Sequence, residues 1–221
     1  GYNRKTNVIT GREGLLMEYR YTPDGWIEFI PEKAPLKPAP VENVTIQFRS
    51  GLSNEWQWSV FQTPRTELKG GELYLNALPE GPGAFLGHKV TTGNFTATVK
   101  VHAKKSTAAA GIALIGDEKN NLTLWLDKDS VRIMQIRDGK ETRLAGRKVN
   151  RQQKMELRLE VVQGKTVQFS WGAENKAAAT WNQRVDIGFL PPWDRAVRIG
   201  LTAKGTETEQ AVFDSFRIIN H

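Results

Sequence analysis

Residues 95–102 read FTATVKVH, a stretch in which apolar and polar side chains alternate at every position. The segment MELRLEV at residues 155–161 repeats this period of two, with four apolar side chains opposite three charged ones. Successive side chains of a β-strand point to opposite faces of its sheet, so the pattern predicts strands that bury one face and expose the other. Such strands are typical of antiparallel sheets.

The same alternation recurs along most of the chain after residue 44. Turn sequences separate the alternating segments at intervals of about 8 to 12 residues. Examples are KGG at 69–71, DEKN at 117–120, RDGK at 137–140 and QGK at 163–165. No long segment has the 3.6-residue apolar period of an amphipathic helix. The sequence therefore predicts an all-β fold, a two-sheet antiparallel sandwich of the jelly-roll type with about ten to twelve strands.

A proline-rich stretch, PEKAPLKPAP at residues 31–40, interrupts the chain ahead of this body. Proline lacks a backbone N–H and disfavours helix interiors and central strands, so the stretch is expected to be an extended linker. Ahead of it, LLMEYRY at 15–21 and WIEF at 26–29 flank the turn sequence TPDG, which predicts a β-hairpin. We predict a hairpin unit at 1–30, a linker at 31–43 and a sandwich at 44–221. A lone hairpin is marginal in water, so this one is expected to pack against another surface.

Composition excludes several kinds of site. The chain has no cysteine and three histidines, which excludes thiolate metal sites and cysteine nucleophiles. Its net charge of +7 is spread over short doublets such as Lys104-Lys105, so we predict a solvated basic surface and no nucleic-acid site.

No membrane span and no leader sequence are expected. The chain opens on Gly1-Tyr2-Asn3 without methionine, which we interpret as the start of a processed or truncated chain.

No residue pattern points to catalysis. Motifs for an activated serine, a phosphate loop or a helical zinc site are missing from the sequence. The acidic residues that a glycosidase would need fall mainly at turns and strand ends, where solvation explains them. We therefore predict no catalytic residue and no metal ligand in this chain.

Tryptophans are the better candidates for a binding site, because sugars stack on flat aromatic rings beside polar groups. Trp125 is out of phase with the leucines at 122, 124 and 126, so its indole is expected on the opposite face of that strand. Trp181 and Trp193 lie in the irregular segments TWNQR and PPWDR, the first of which includes Arg184. These four residues are our candidate carbohydrate-binding residues, with packing under a loop or at the end of the core as the alternative for each tryptophan.

Seven segments carry a family resemblance. LSNEWQW at 52–58, GELYLNA at 71–77, FLGH at 85–88 and NFTATV at 94–99 resemble the C-terminal concanavalin A-like sandwich of family 43 glycoside hydrolases, the β-xylosidase and arabinanase group. VFDSFRI at 212–218 is similar to the last strand of many such sandwiches. GREGLL at 11–16 and YTPDGW at 21–26 resemble the end of that family's five-bladed propeller. The two pieces occur in the family's order and cover nearly the whole chain.

The resemblance implies a function without catalysis in this chain, because the family's three catalytic acids lie on the propeller, and no residue here matches them. The expected function is that of an accessory sandwich in a glycoside hydrolase acting on xylan- or arabinan-type polysaccharide. Its expected partners are an upstream propeller and a plant polysaccharide or oligosaccharide. The alternatives are an autonomous carbohydrate-binding module that uses exposed tryptophans, and a self-sufficient glycan hydrolase or lyase.

The resemblance also bears on cofactors and location. Some related sandwiches hold a structural calcium between acidic groups of the first and last strands. This sequence has QFR at 47–49 where Asp-Asp-Phe often stands, which leaves Asp214 as weak support, so no cofactor is expected. Enzymes of this family act on plant polysaccharide outside the cytoplasm, which implies a secreted protein with a periplasmic or extracellular location.

Overall fold

The computed structural model describes residues 9, 17–30, 41–59, 62–150, 152–191 and 196–221. These residues form seventeen strands and no helix. The strands are β1 (Tyr19–Tyr21), β2 (Ile27–Phe29), β3 (Val44–Gln47), β4 (Thr66–Lys69), β5 (Glu72–Asn76), β6 (Ala84–Lys89), β7 (Phe95–His102), β8 (Ala109–Asp117), β9 (Asn120–Asp127), β10 (Ser130–Arg137), β11 (Lys140–Lys148), β12 (Lys154–Val162), β13 (Thr166–Ala173), β14 (Ala179–Thr180), β15 (Val185–Asp186), β16 (Arg198–Lys204) and β17 (Gln210–Asn220).

Two sheets build the body of the protein. The front sheet has six strands in the order β11-β10-β9-β8-β16-β6. The back sheet has nine strands, with the order β14-β13-β12-β7-β17-β5-β4, and with β15 beside β13 and β3 beside β17. All pairings between these strands are antiparallel. The predicted all-β, two-sheet antiparallel sandwich is confirmed, with a larger number of strands because several are short.

The inward rows of the two sheets form the main core. Leu122 and Leu124 on β9 and Leu157 and Leu159 on β12 belong to it and are completely buried. Strand β12 contacts both β8 and β9 across the sandwich, which joins the sheets at their centres. The largest fully buried side chains are phenylalanines. Burial of these rings supplies much of the hydrophobic stabilisation.

The last strand, β17, contains a bulge that the alternation pattern did not predict. Phe213 pairs with Val101 on β7, and Ser215 pairs with the next residue, Lys100, so Asp214 is an extra residue. Strict alternation would place Phe213 and Phe216 on opposite faces, because they are three positions apart. The bulge shifts the alternation of side chains between the two faces by one residue. Both phenylalanines are therefore completely buried in the core.

The outer face of the back sheet carries ion pairs. The Lys100 ammonium lies 2.7 Å from a Glu174 carboxylate oxygen, and the Lys154 ammonium donates to Asp214 Oδ1 at 2.7 Å. The hydrogen bond to Asp214 raises the pKa of Lys154 above its ordinary value, against the opposing effect of partial burial. Hydrogen bonding to the charged form favours that form.

Both faces of β9 are covered in the front sheet. On the outer face, Asn121, Thr123 and Trp125 are all buried, although the core lies on the other side. The Trp125 ring lies across Gly111 of β8, where an added Cβ would overlap its Cδ1 atom. The Lys204 ammonium lies 4.9 Å from the centre of the same ring. Glycine at 111 therefore makes room for the indole on the outer face of the sheet.

The predicted hairpin is confirmed for strands β1 and β2, which form a separate two-stranded sheet. The turn between them includes Gly25, with φ at 85°, and Gly25 N donates to Thr22 O at 2.9 Å. The linker residues 31–40 and the segment GREGLL lie outside the described residues, and the domain boundaries remain a prediction. Ile9, from the predicted hairpin unit, is buried in the sandwich core, and its carbonyl accepts a hydrogen bond from Val197 N at 2.9 Å.

We expect Asp214→Asn to remove part of the protein's stability at neutral pH. Lys154 has a raised folded-state pKa, so its bond to Asp214 contributes below the ordinary lysine pKa, about 10.4, and is lost as pH rises through the folded-state value. The variant should lose less than about 1 kcal/mol at pH 7, because both side chains are partly exposed. Urea unfolding at several pH values measures this loss, which should vanish at strongly alkaline pH. The control is Glu67→Gln, which removes an exposed carboxylate of β4. A loss of the same size in this control, or a loss independent of pH, would contradict the assignment.

We expect Gly111→Ala to destabilise the sandwich by about 1 to 3 kcal/mol, because the added methyl group would overlap the Trp125 ring and would lie 2.7 Å from Leu124 O and 2.9 Å from Thr202 Cγ2. Thermal or urea unfolding measures the change. The substitution should be less harmful in a Trp125→Ala background, where the ring is gone, and this coupling separates the ring contact from a general effect on β8. Strictly additive effects of the two substitutions would show that the ring is not what excludes a side chain at position 111.

Candidate functional site

A cleft of about 480 Å³ opens at the edge of the core, between strands β10 and β11 of the front sheet and residues 181–189. We call it the edge cleft. It is lined by Gln135, Arg137, Leu144, Trp181, Gln183, Arg184, Val185, Asp186, Gly188 and Phe189. Apolar and polar side chains are mixed in this set, as in ligand sites with an apolar floor and a few convergent polar groups.

Strand β10 forms one wall of the edge cleft because its inward-facing side chains change from apolar to polar along the strand. Val131 and Ile133 face the core and are buried. The next inward positions are Gln135, which pairs with Leu122 of β9, and Arg137. Polar groups are costly at core positions unless they find partners or water. They are tolerated here because the core ends at this edge.

The opposite wall is the irregular segment after β13. The back sheet continues here only as β14 and β15, which pair with different parts of β13. Trp181 follows β14 and is half-buried, with its ring centre 6.2 Å from that of Phe169. Its backbone N–H donates to Phe169 O at 2.9 Å. These contacts hold the indole at the floor of the edge cleft.

The rim of the edge cleft carries two guanidinium groups and one carboxylate. Arg137 lies over the Phe189 ring, 5.7 Å from its centre. Arg184 lies 4.0 Å from a Glu160 carboxylate oxygen, with both side chains more than two-fifths exposed. Asp186 accepts a hydrogen bond from Gly188 N at 2.7 Å, which fixes one of its oxygens. Together with the two glutamine amides, these groups can donate to and accept from sugar hydroxyls.

The structure brings two of the four predicted site residues together. Trp181 and Arg184 line the same cleft, whereas Trp193 lies outside the described residues. Trp125 lies on the face opposite the leucines of β9, as expected, but it is only 5% exposed. The geometry of Trp125 matches the packing alternative, since Gly111 and Lys204 enclose its ring. A carbohydrate-binding role for any of the four remains a prediction.

Sequence reasoning missed Gln135, Arg137 and Phe189 as residues of this site. Arg137 lies in the segment RDGK, whose sequence predicts only a turn. A signal was nevertheless present, because Gln135 and Arg137 continue the inward phase of Val131 and Ile133 with polar side chains. Breaks in an otherwise consistent pattern often mark functional positions.

The surroundings of Asp214 do not suit a calcium ion. One of its oxygens accepts from the Lys154 ammonium, and the other lies 3.9 Å from the Lys100 ammonium. Two cations beside a single carboxylate oppose binding of a third. Among the residues that the structure describes, no group of three or more histidine or acidic side chains could hold a metal ion. The same residues contain no helix that could span a membrane.

Residues 47–218 match the family described as the beta-xylosidase C-terminal concanavalin A-like domain, GH43_C2. A search of curated protein sequences found no match. Three solved structures illustrate the structural likeness. A Bacteroides ovatus xyloglucan PUL GH43B protein is 20% identical, with a TM-score of 0.75 and coverage of 96% of this chain and 48% of its own.

A variant of the GH43 protein BlXynB from Bacillus licheniformis is 19% identical, with a TM-score of 0.76 and coverage of 96% of this chain and 47% of its own. A xylan beta-1,4-xylosidase from Bacillus halodurans is 15% identical, with a TM-score of 0.68 and coverage of 91% and 46%. At these identities the likeness concerns the fold alone. This chain spans about half the length of each of these proteins. The family match covers most of the chain, and the chain therefore belongs to the C-terminal concanavalin A-like domains of family 43 glycoside hydrolases.

Proposed function

We propose that this chain is the non-catalytic accessory sandwich of a glycoside hydrolase that acts on xylan- or arabinan-type polysaccharide. In this proposal the chain docks on an upstream catalytic propeller through the hairpin of β1 and β2. The observation that carries the proposal is an apolar face of this hairpin that no described residue covers.

The hairpin is amphipathic. Its register pairs Tyr19 with Phe29 and Tyr21 with Ile27, so these four side chains share one face. All four are 52% to 66% exposed. The middle pair, Arg20 and Glu28, lies on the other face and forms an ion pair of 2.7 Å. An apolar face of this kind is expected to be buried in the functional protein.

The rest of the described surface offers far fewer apolar groups. Nine large hydrophobic side chains are exposed among the described residues, and six of them lie between Met17 and Phe29. The hairpin alone would be marginally stable in water, which favours a partner that extends or covers it. The similar proteins are about twice as long as this chain, which supports an additional domain as the occupant.

The edge cleft supports a contact with carbohydrate as a second part of the proposal. It combines the Trp181 ring with amide, guanidinium and carboxylate groups from two sheets. One similar protein is a xylan beta-1,4-xylosidase, which suggests a pentose-containing chain as the ligand. The alternative of an autonomous carbohydrate-binding module rests on the same cleft and differs in needing no propeller. Action on polysaccharide would require a periplasmic or extracellular location.

We expect the double variant Tyr21→Glu/Phe29→Glu to bind the separately produced upstream domain of the same gene at least about tenfold more weakly than the unchanged chain. The reason is that two carboxylates would have to be buried in an apolar contact. Calorimetric titration measures the affinity, and Glu28→Gln on the opposite face is the matched control. The chain alone should not hydrolyse aryl xylosides or arabinofuranosides.

Two results would contradict the proposal. One is a gene that encodes no domain upstream of this chain. The other is equal affinity of the double variant and the control for the upstream domain. Turnover by the purified chain would instead favour a self-sufficient hydrolase.

A further inference from the structure

We infer that the edge cleft selects a glycan that carries carboxylate groups, with Arg137 and Arg184 pairing with a uronic acid branch. This inference rests on the carbohydrate contact proposed for the same cleft and specifies the class of its ligand. A neutral xylan or arabinan chain offers the cleft hydroxyl groups and ring faces but no anion to complement the two guanidinium charges.

The charge of the rim is the first argument. The lining of the cleft includes two guanidinium groups and one carboxylate, Asp186, and one oxygen of that carboxylate already accepts from Gly188 N. A ligand carboxylate is the natural complement of such a rim, because guanidinium and carboxylate form charge-assisted hydrogen bonds, often in pairs. The rim therefore favours an acidic ligand over a neutral one.

The existing contacts of the two arginines do not prevent them from binding a ligand carboxylate. Arg184 and Glu160 are 4.0 Å apart, at side-chain exposures of 43% and 44%. Exposed ion pairs of this kind contribute little, so a ligand carboxylate can replace or share this contact. The contact of Arg137 with the Phe189 ring leaves its cationic charge in place while it holds the side chain beside the cleft.

The adjoining surface extends the positive charge. From Ser130 to Lys148, strands β10 and β11 and their turn hold six basic and two acidic residues, a net +4 out of the +7 of the whole chain. The basic ones are Arg132, Arg137, Lys140, Arg143, Arg147 and Lys148. Strand β11 is the edge of the front sheet, and most of its residues are exposed. This edge is expected to attract a polyanion toward the cleft.

The neutral groups of the cleft favour an acidic sugar over a phosphate polymer. Gln135 and Gln183 offer amides that match hydroxyl groups, and Trp181 offers an aromatic surface. A nucleic acid would be held mainly by backbone charge, with steep salt dependence and little need for these side chains.

The test compares matched ligands on the whole 221-residue chain. The probes are a linear xylo-oligosaccharide, the same backbone with one glucuronic acid branch, and a linear arabino-oligosaccharide. Calorimetry at about 50 mM and about 300 mM NaCl should give at least about tenfold tighter binding of the branched acidic ligand at low salt, with a smaller advantage at high salt.

Substitutions locate the effect. Arg137→Gln and Arg184→Gln should each remove most of the acidic preference, measured as the ratio of the affinities for the acidic and the neutral oligosaccharide. Arg217→Gln is the matched control, because it removes the same charge from an exposed position of β17 in the back sheet. This control should keep the full preference.

The outcomes separate the two levels of the proposal. Equal binding of neutral and acidic oligosaccharides overturns the acidic preference and leaves the carbohydrate contact intact. Absence of binding to every oligosaccharide overturns both. The acidic preference would also be overturned if heparin or a DNA oligonucleotide bound as tightly as the acidic oligosaccharide and Arg217→Gln weakened binding as much as the cleft variants do. That result would identify non-specific attraction of polyanions.

Discussion

The fold depends on the contact between the inward rows of the two sheets, because neither sheet can shield its apolar face from water alone. Leu122 and Leu124 on one sheet and Leu157 and Leu159 on the other are completely buried in this contact. The bulge at Asp214 serves the same contact, since it keeps the end of the last strand in phase with the core. The charged groups are consequently left to the outer faces and the sheet edges.

The edge cleft forms where this contact ends. The inward row of β10 changes from Ile133 to Gln135, and the back sheet opposite it is reduced to the short strands β14 and β15. The floor of the cleft is thus the margin of the core, and its rim is the polar continuation of the same strand. The core fixes the wall that β10 and β11 form, whereas the opposite wall is the irregular segment 181–189.

Charge and apolar surface are distributed unequally over the molecule. Lysines and carboxylates pair at 2.7 Å on the outer face of the back sheet, where they satisfy one another. The strands β10 and β11 instead carry an excess of basic groups, which leaves positive charge for a partner. The hairpin of β1 and β2 presents the opposite case, an apolar face without a described partner. Unsatisfied surfaces of both kinds point to interactions outside this chain.

The sequence by itself determined the strands, the sandwich class and the face of Trp125, because alternation with a period of two depends only on neighbouring residues. Only the tertiary structure decided whether that face was open, since Gly111 and Lys204 come from other strands. It also brought Arg137 and Arg184, which are far apart along the chain, to the same cleft. Contacts between distant segments depend on strand order, bulges and register, and these are set by the packing of the whole core rather than by local pattern.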